Sequence, residues 1–193
     1  MNTPSRHRWW HRLRQPSAKH SVLALICVGI ILGVVGVIAF DTTLHATSTE
    51  EFCISCHEME DTPYAQLQTT AHYSNAYGVQ ATCSDCHVPR EFVPKMIRKI
   101  EAAREVWGSI TGIIDTPEKY AAHLPVMKAR EIARLQANNS QECRNCHDMQ
   151  HMQADLQSKM AQRFHQPARM QDKSCIDCHQ GIAHPESQAV GRH

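Results

Sequence analysis

The chain has 193 residues and a mass of 21.8 kDa, enough for one ordinary domain with an appendage and too little for a large multidomain enzyme. Aromatic residues make up only 6% and mean hydropathy is −0.43, so a core of Phe, Tyr and Trp would be thin, while nine Cys and fourteen His point to disulfides or a metal-bearing group. The net charge of +1 conceals an asymmetry: Arg6, Arg8, Arg12, Arg14 and Lys19 make residues 1–20 +5, and the remaining 173 residues carry −4.

Val22 to Phe40 reads VLALICVGIILGVVGVIAF, nineteen residues without a charge. At ~1.5 Å per residue such a helix crosses the ~30 Å hydrocarbon layer once. A cleaved signal peptide would have a shorter apolar region and an A-x-A site, and DTTLHATSTEE offers none, so the span reads as a retained anchor. Basic residues precede it and Asp41, Glu50 and Glu51 follow it. The positive-inside rule then puts residues 1–20 in the cytoplasm, the transmembrane helix at 21–40 and residues 41–193 in the periplasm. Gly29 and Gly33 form a G-x-x-x-G that leaves a homo-oligomer open, although lipid-facing small residues read the same way. Cys27, the ninth cysteine, reads as a small apolar residue rather than a ligand.

The other eight cysteines fall into Cys53-Ile-Ser-Cys56-His57, Cys83-Ser-Asp-Cys86-His87, Cys143-Arg-Asn-Cys146-His147 and Cys175-Ile-Asp-Cys178-His179. This is C-x-x-C-H four times, the attachment signature of c-type haem. Two thiols add to the two vinyl groups of one porphyrin while the following His meets the iron. Paired Cys₄ zinc sites would have no use for a trailing His, and C-x-x-C is a redox spacing rather than that of a structural disulfide. Four haems c are therefore expected, carried by these eight cysteines, with His57, His87, His147 and His179 as iron ligands.

The motifs are spaced 30 residues apart in the first pair and 32 in the second, with 60 between Cys83 and Cys143. The domain thus reads as two dihaem modules, about 50–90 and 140–185, joined by a helical linker at 92–137. Each module holds a histidine between its motifs, His72 and His165, and His184 follows the last one. The full set of candidate sixth ligands is His45, His72, His123, His151, His165, His184 and His193, and an exposed histidine is the default for any of them. Met59 lies two residues past the first motif histidine and could ligate or merely pack against a porphyrin; Met149 repeats the spacing after His147.

In the linker, Val93, Met96, Ile97, Ile100, Ala103, Trp107, Ile110 and Ile114 recur near the helical period, predicting a basic amphipathic helix over Phe92–Ile114. Asp115-Thr116-Pro117-Glu118 reads as an N-cap followed by Pro in the first turn, and Pro125 is expected to kink or break the helix that begins there. A last helix is expected over Asp148–Phe164. With no alternating strand pattern, the fold class is an all-α, loop-rich multihaem cytochrome c domain with one N-terminal transmembrane helix, its porphyrins supplying the core that side chains do not.

The basic N-terminus, the single span, and then LHATSTEEFCISCHEM, ATCSDCHVP, SQECRNCH and SCIDCHQGIAHP together resemble the NapC/NirT family of membrane-anchored tetrahaem quinol dehydrogenases over nearly the whole chain. The resemblance implies a chain that takes electrons from membrane quinol, menaquinol or ubiquinol, and passes them to a periplasmic reductase, a nitrate reductase above all. Lipid bilayer is the other expected partner, and nucleic acid is not expected. The resemblance also implies Met59 as axial ligand of the first haem and His72, His165 and His184 as distal ligands of the other three. In IRKIEAAREVWG it implies Lys99 and Glu105 at the quinol site. These two lie ~120° apart around a helix, whereas Arg98 and Glu105 share a face. The chain departs from some relatives at Arg90, where they carry a His that an Arg cannot replace on iron. The alternative function is a tethered electron carrier without its own quinol site. An intact mass of the membrane-extracted protein is expected to show four haem additions and a retained span; two or three additions would contradict the motif reading.

Overall fold

A computed structural model of the chain describes residues 19–166, 169 and 171–185; Arg6, Arg8, Arg12, Arg14 and the candidate ligand His193 lie outside these. The described residues divide into two units after Ala46.

The first unit is one helix, α1 (Val22–Ala46), with no buried residue. Its 25 residues measure about 37 Å at ~1.5 Å each. Among the described residues it is the one helix long and apolar enough to cross a membrane. It overruns the apolar stretch by six residues, DTTLHA containing no Gly or Pro to stop it, and the Thr43 hydroxyl donates back to the Ala39 carbonyl at 2.8 Å.

The second unit is helical throughout its regular structure, without a strand among the described residues. Its elements are α2 (Glu50–Cys53), α3 (His57–Met59), a π-turn (Glu60–Tyr64), α4 (Ala65–Leu67), α5 (Cys83–His87), α6 (Phe92–Ile110), α7 (Pro117–Ala137), α8 (Gln141–Arg144), a 3₁₀ turn (Ala154–Leu156), α9 (Lys159–Phe164) and a second 3₁₀ turn (Cys175–Asp177). The two dihaem stretches of the sequence belong to this one compact unit.

Three helix expectations change. α6 stops at Ile110, because Ile113 and Ile114 turn back to donate to the Gly108 carbonyl at 2.7 and 3.3 Å. Gly112 permits this with φ at +75°, where a Cβ would also meet Asp115 Oδ2 at 3.2 Å. α7 runs unbroken through Pro125. Pro125 and Ala121 are exposed, so the carbonyl deprived of its partner faces water and the cost is met without ending the helix. Of Asp148–Phe164 only the 3₁₀ turn and α9 form. The Asp148 carboxylate takes bonds from the Gln150 amide at 2.9 Å and the His151 ring at 2.6 Å, a local alternative to the helical ladder. Ser158 then caps α9 by accepting from the Ala161 amide at 3.2 Å.

Side chains bury little apolar surface: Leu67, Ile114 and Tyr120 are the buried hydrophobic residues among those described. Charged contacts carry much of the cohesion. Arg134 on α7 reaches Glu142 on α8 at 2.5 Å, Glu131 at 2.7 Å and the Cys86 carbonyl on α5 at 3.1 Å. Asn138 adds a second donor to Glu142 at 2.8 Å. The Glu142 side chain is 1% exposed, so withdrawing its arginine strands a buried charge. Arg134→Met is expected to cost about 3–5 kcal/mol, read as a lowered urea midpoint of the detergent-solubilised holoprotein. Thr116→Ala, which removes the α7 N-cap bond to the Lys119 amide, is expected to cost about 1 kcal/mol. Equal losses in the two variants would show that Glu142 is not held by charge.

Candidate haem sites

Three of the four motifs close as a helical turn. In the second, Thr82 and Asp85 form a reciprocal capping box, the Thr82 amide donating to Asp85 Oδ2 at 2.8 Å; in the fourth, Ser174 and Asp177 do the same at 2.8 Å. The aspartate inside C-x-x-C is thus the cap that starts the turn. In the third, the His147 amide donates to the Cys143 carbonyl at 2.8 Å, as the His179 amide does to Cys175 at 2.9 Å. Cysteines at i and i+3 and histidine at i+4 then lie on one face.

The first motif is built differently. α2 ends at Cys53, Cys56 is extended with φ −94° and ψ 130°, and His57 opens a new helix. The break turns the His57 ring away, and its Nε2–H donates to the Asp115 carbonyl at 3.0 Å. Met59 instead lines a cleft with Cys53, Cys83, Cys86, His87 and His184.

The remaining motif histidines each face a distal candidate. Ring centroids lie 6.1 Å apart for His72 and His147, 6.1 Å for His87 and His184, and 5.8 Å for His165 and His179. Two imidazoles bound to one metal through bonds of about 2 Å place their centroids roughly 6 Å apart, so all three pairs fit an iron between them. Two of the pairs cross between the sequence modules: His72 of the first meets His147 of the second, and His184 meets His87. His151 is instead exposed on Asp148, and His123 pairs with no motif histidine. Burial, followed by the neighbouring His87, pushes His184 down to about 4, which keeps it a neutral imidazole with a lone pair for metal.

The motifs adjoin one another in chain order. Cys53 and Cys83 line one cleft. Burial first, then the charge on Cys143, pushes Cys86 up to about 11. Cys143 is raised by burial and then by Cys175, and the Ile176 amide donates to Ser140 Oγ at 3.2 Å. All eight motif cysteines are free thiols. Four thiol pairs, three imidazole couples of metal-spanning separation and a sparse side-chain core therefore fit covalently held haem.

Lys99 and Glu105 are not brought together. Lys99 is on the side of the first motif, its Nζ donating to the Thr47 carbonyl at 2.5 Å and hydroxyl at 2.8 Å; burial lowers its pKa against the pull of Cys53. Glu105 faces α7, where Arg130 donates to Oε1 at 2.8 Å, and its buried Oε2 has no hydrogen-bond partner. Arg98 shares that face, 3.8 Å from Glu131. Val93, Ile97, Ile100 and Trp107 on α6 are all exposed.

Two polar partners of the histidines have no signal in the sequence. His87 Nδ1–H donates to Glu131 Oε1 at 2.8 Å across 44 residues, and His165 Nδ1–H donates to Gln157 Oε1 at 2.8 Å. Burial raises the Glu131 carboxyl, but bonds from His87 and Arg134 outweigh it and hold the group well below the usual carboxylate range.

Among known proteins, the chain is 50% identical to the denitrification system component NirT of Stutzerimonas stutzeri over 172 residues, covering 89% of this chain and 86% of that one. It is 48% identical to the cytochrome c-type protein NapC of Escherichia coli (strain K12) over 177 residues, 92% and 86% of the two chains. It is also 42% identical over 176 residues to the cytochrome c-type protein TorC of the same strain, covering 91% of this chain and 45% of TorC. No solved structure matches it significantly. The NapC/NirT cytochrome c family, N-terminal region, matches residues 15–189, so with its four attachment motifs, its apolar helix and these relatives the chain belongs to the NapC/NirT cytochrome c family.

Proposed function

We propose that this chain is itself a quinol dehydrogenase: a tetrahaem cytochrome c, anchored by α1 with its N-terminus in the cytoplasm, that oxidises membrane quinol and reduces a periplasmic reductase. Membrane-anchored cytochromes of this family carry electrons from quinol to periplasmic reductases. The observation that carries the finer reading is the company Lys99 keeps: a part-buried cation beside Cys53, on a helix whose apolar side is exposed.

The four C-x-x-C pairs would hold the haems. His72 with His147, His87 with His184, and His165 with His179 would be the axial pairs of three of them, and Met59 would serve the first, His57 being engaged by Asp115. Haem c bound at these residues supplies one-electron carriers. Val93, Ile97, Ile100 and Trp107 would form an apolar wall for a quinol arriving from lipid, and Lys99 would donate a hydrogen bond to its headgroup oxygen. A hydrogen bond from a cation stabilises the anionic form and so assists proton loss. Glu105 is assigned to the joint between α6 and α7, because its Oε1 is engaged by Arg130 at 2.8 Å. The role printed for one relative, a denitrification system component, favours a reductase of the nitrate-reducing type as the electron acceptor.

Two outcomes test this. His72→Ala, His165→Ala and His184→Ala are each expected to convert one low-spin haem signal to high-spin in the electron paramagnetic resonance spectrum, and Met59→Ala to disturb only the haem already distinct. The same conversion by His123→Ala or His151→Ala would overturn the ligand set. Lys99→Gln is expected to slow haem reduction by a soluble quinol analogue tenfold or more, about 1.4 kcal/mol, with dithionite reduction unchanged. Glu105→Gln is expected to lower stability with near-normal quinol kinetics. A wild-type rate in Lys99→Gln would remove the quinol site from α6, and failure of the unmutated protein to oxidise any quinol would leave the tethered carrier.

A further inference from the structure

We propose that Glu131 is a positioning residue that lowers the potential of the haem held by Cys83 and Cys86, by accepting a hydrogen bond from Nδ1 of His87. The proposal rests on the axial pairs assigned above. A ligand imidazole uses one nitrogen for the metal, and what the other nitrogen meets decides its tautomer, its orientation and its basicity. His87 meets a carboxylate at 2.8 Å. His165 meets the neutral amide oxygen of Gln157 at the same 2.8 Å. Equal geometry with unequal charge is the contrast that matters.

An anionic acceptor draws the Nδ1 proton toward itself and leaves more electron density on Nε2. A more basic ligand stabilises the ferric over the ferrous state, so the midpoint falls. Glu131 is well placed to do this because its side chain is only 21% exposed and solvent screens it little. Its charge is held by Arg134 at 2.7 Å and, more loosely, by Arg98 at 3.8 Å. Arg134 is also committed to the buried Glu142, so it is shared between two carboxylates. Arg98 is the cation whose removal would sharpen the pull of Glu131 with least damage to that network.

Two variants then move one haem in opposite directions. In the detergent-solubilised full-length holoprotein, Glu131→Gln keeps a hydrogen-bond acceptor but removes the charge. It is expected to raise the midpoint of one low-spin haem by at least tenfold in its reduction equilibrium, about 59 mV for one electron, with all low-spin signals retained. Arg98→Gln is expected to lower the same midpoint. Gln157→Glu is expected to lower a different one by placing a carboxylate on His165. If Glu131→Gln destabilises the protein and every midpoint stays put, Glu131 is a structural clamp and the proposal fails. It fails equally if all four midpoints rise together, which is the mark of a general field. Should Glu131→Gln not fold, Arg98→Gln and Gln157→Glu decide by their sign and by which haem moves. The parent assignment is read separately: if His184→Ala leaves every low-spin signal intact, the axial pair itself is wrong, whereas intact pairs with unmoved potentials overturn only the role of Glu131.

Discussion

A metal bound by two imidazoles holds their ring centroids about 6 Å apart, however far apart the residues lie in sequence, and three histidine couples of the second unit have that separation. The histidine couples join residues 72 to 147, 87 to 184 and 165 to 179. With three buried hydrophobic residues described, side-chain packing alone would give a chain of this length a slender margin. On the haem reading proposed above, the short helices, the capped C-x-x-C turns and the crossing of the two modules would serve to bring ligands together. They are not the products of an apolar collapse.

Charge completes what the ligands begin. α7 contributes Glu131 and Arg134, which between them touch α5, α6 and α8. In a fold with little greasy surface to set helix positions, directional bonds between part-buried charges do that work, and each is costly to break from one side. The same helix therefore serves as a brace and as a source of the electrostatic field around the motif histidines.

What is legible in the sequence is what is local. C-x-x-C-H is a five-residue pattern, and the apolar stretch of α1 and the N-cap at Thr116 are read within a turn or two. The end of α6 is missed because it depends on Gly112 folding Ile114 back onto Gly108, a choice between continuing and reversing that periodicity does not register. Pro125 misleads because its cost depends on whether the orphaned carbonyl sees water. The helix expected from Asp148 loses to a side chain that bonds its own neighbours. The motif histidines are identifiable by spacing, but their pairing is a property of the fold, and Glu131 stands 44 residues from the ring it touches. His57 shows the same limit at short range: it has the sequence of its three counterparts, and one extended residue, Cys56, sends it elsewhere.

The crossing of His184 to His87 ties the order of synthesis to the order of completion. Exported in the orientation proposed above, the chain would present Cys83, Cys86 and His87 about a hundred residues before His184 emerges. During that interval, with the axial pairs proposed above, a group attached at the second motif would have only one protein ligand. Its closure would wait on His184, about a hundred residues further along the chain. A chain cut short by a dozen residues would retain all four attachment motifs and yet lose the partner of the second. The stretch GIAHP would in this sense act as a latch on the second motif.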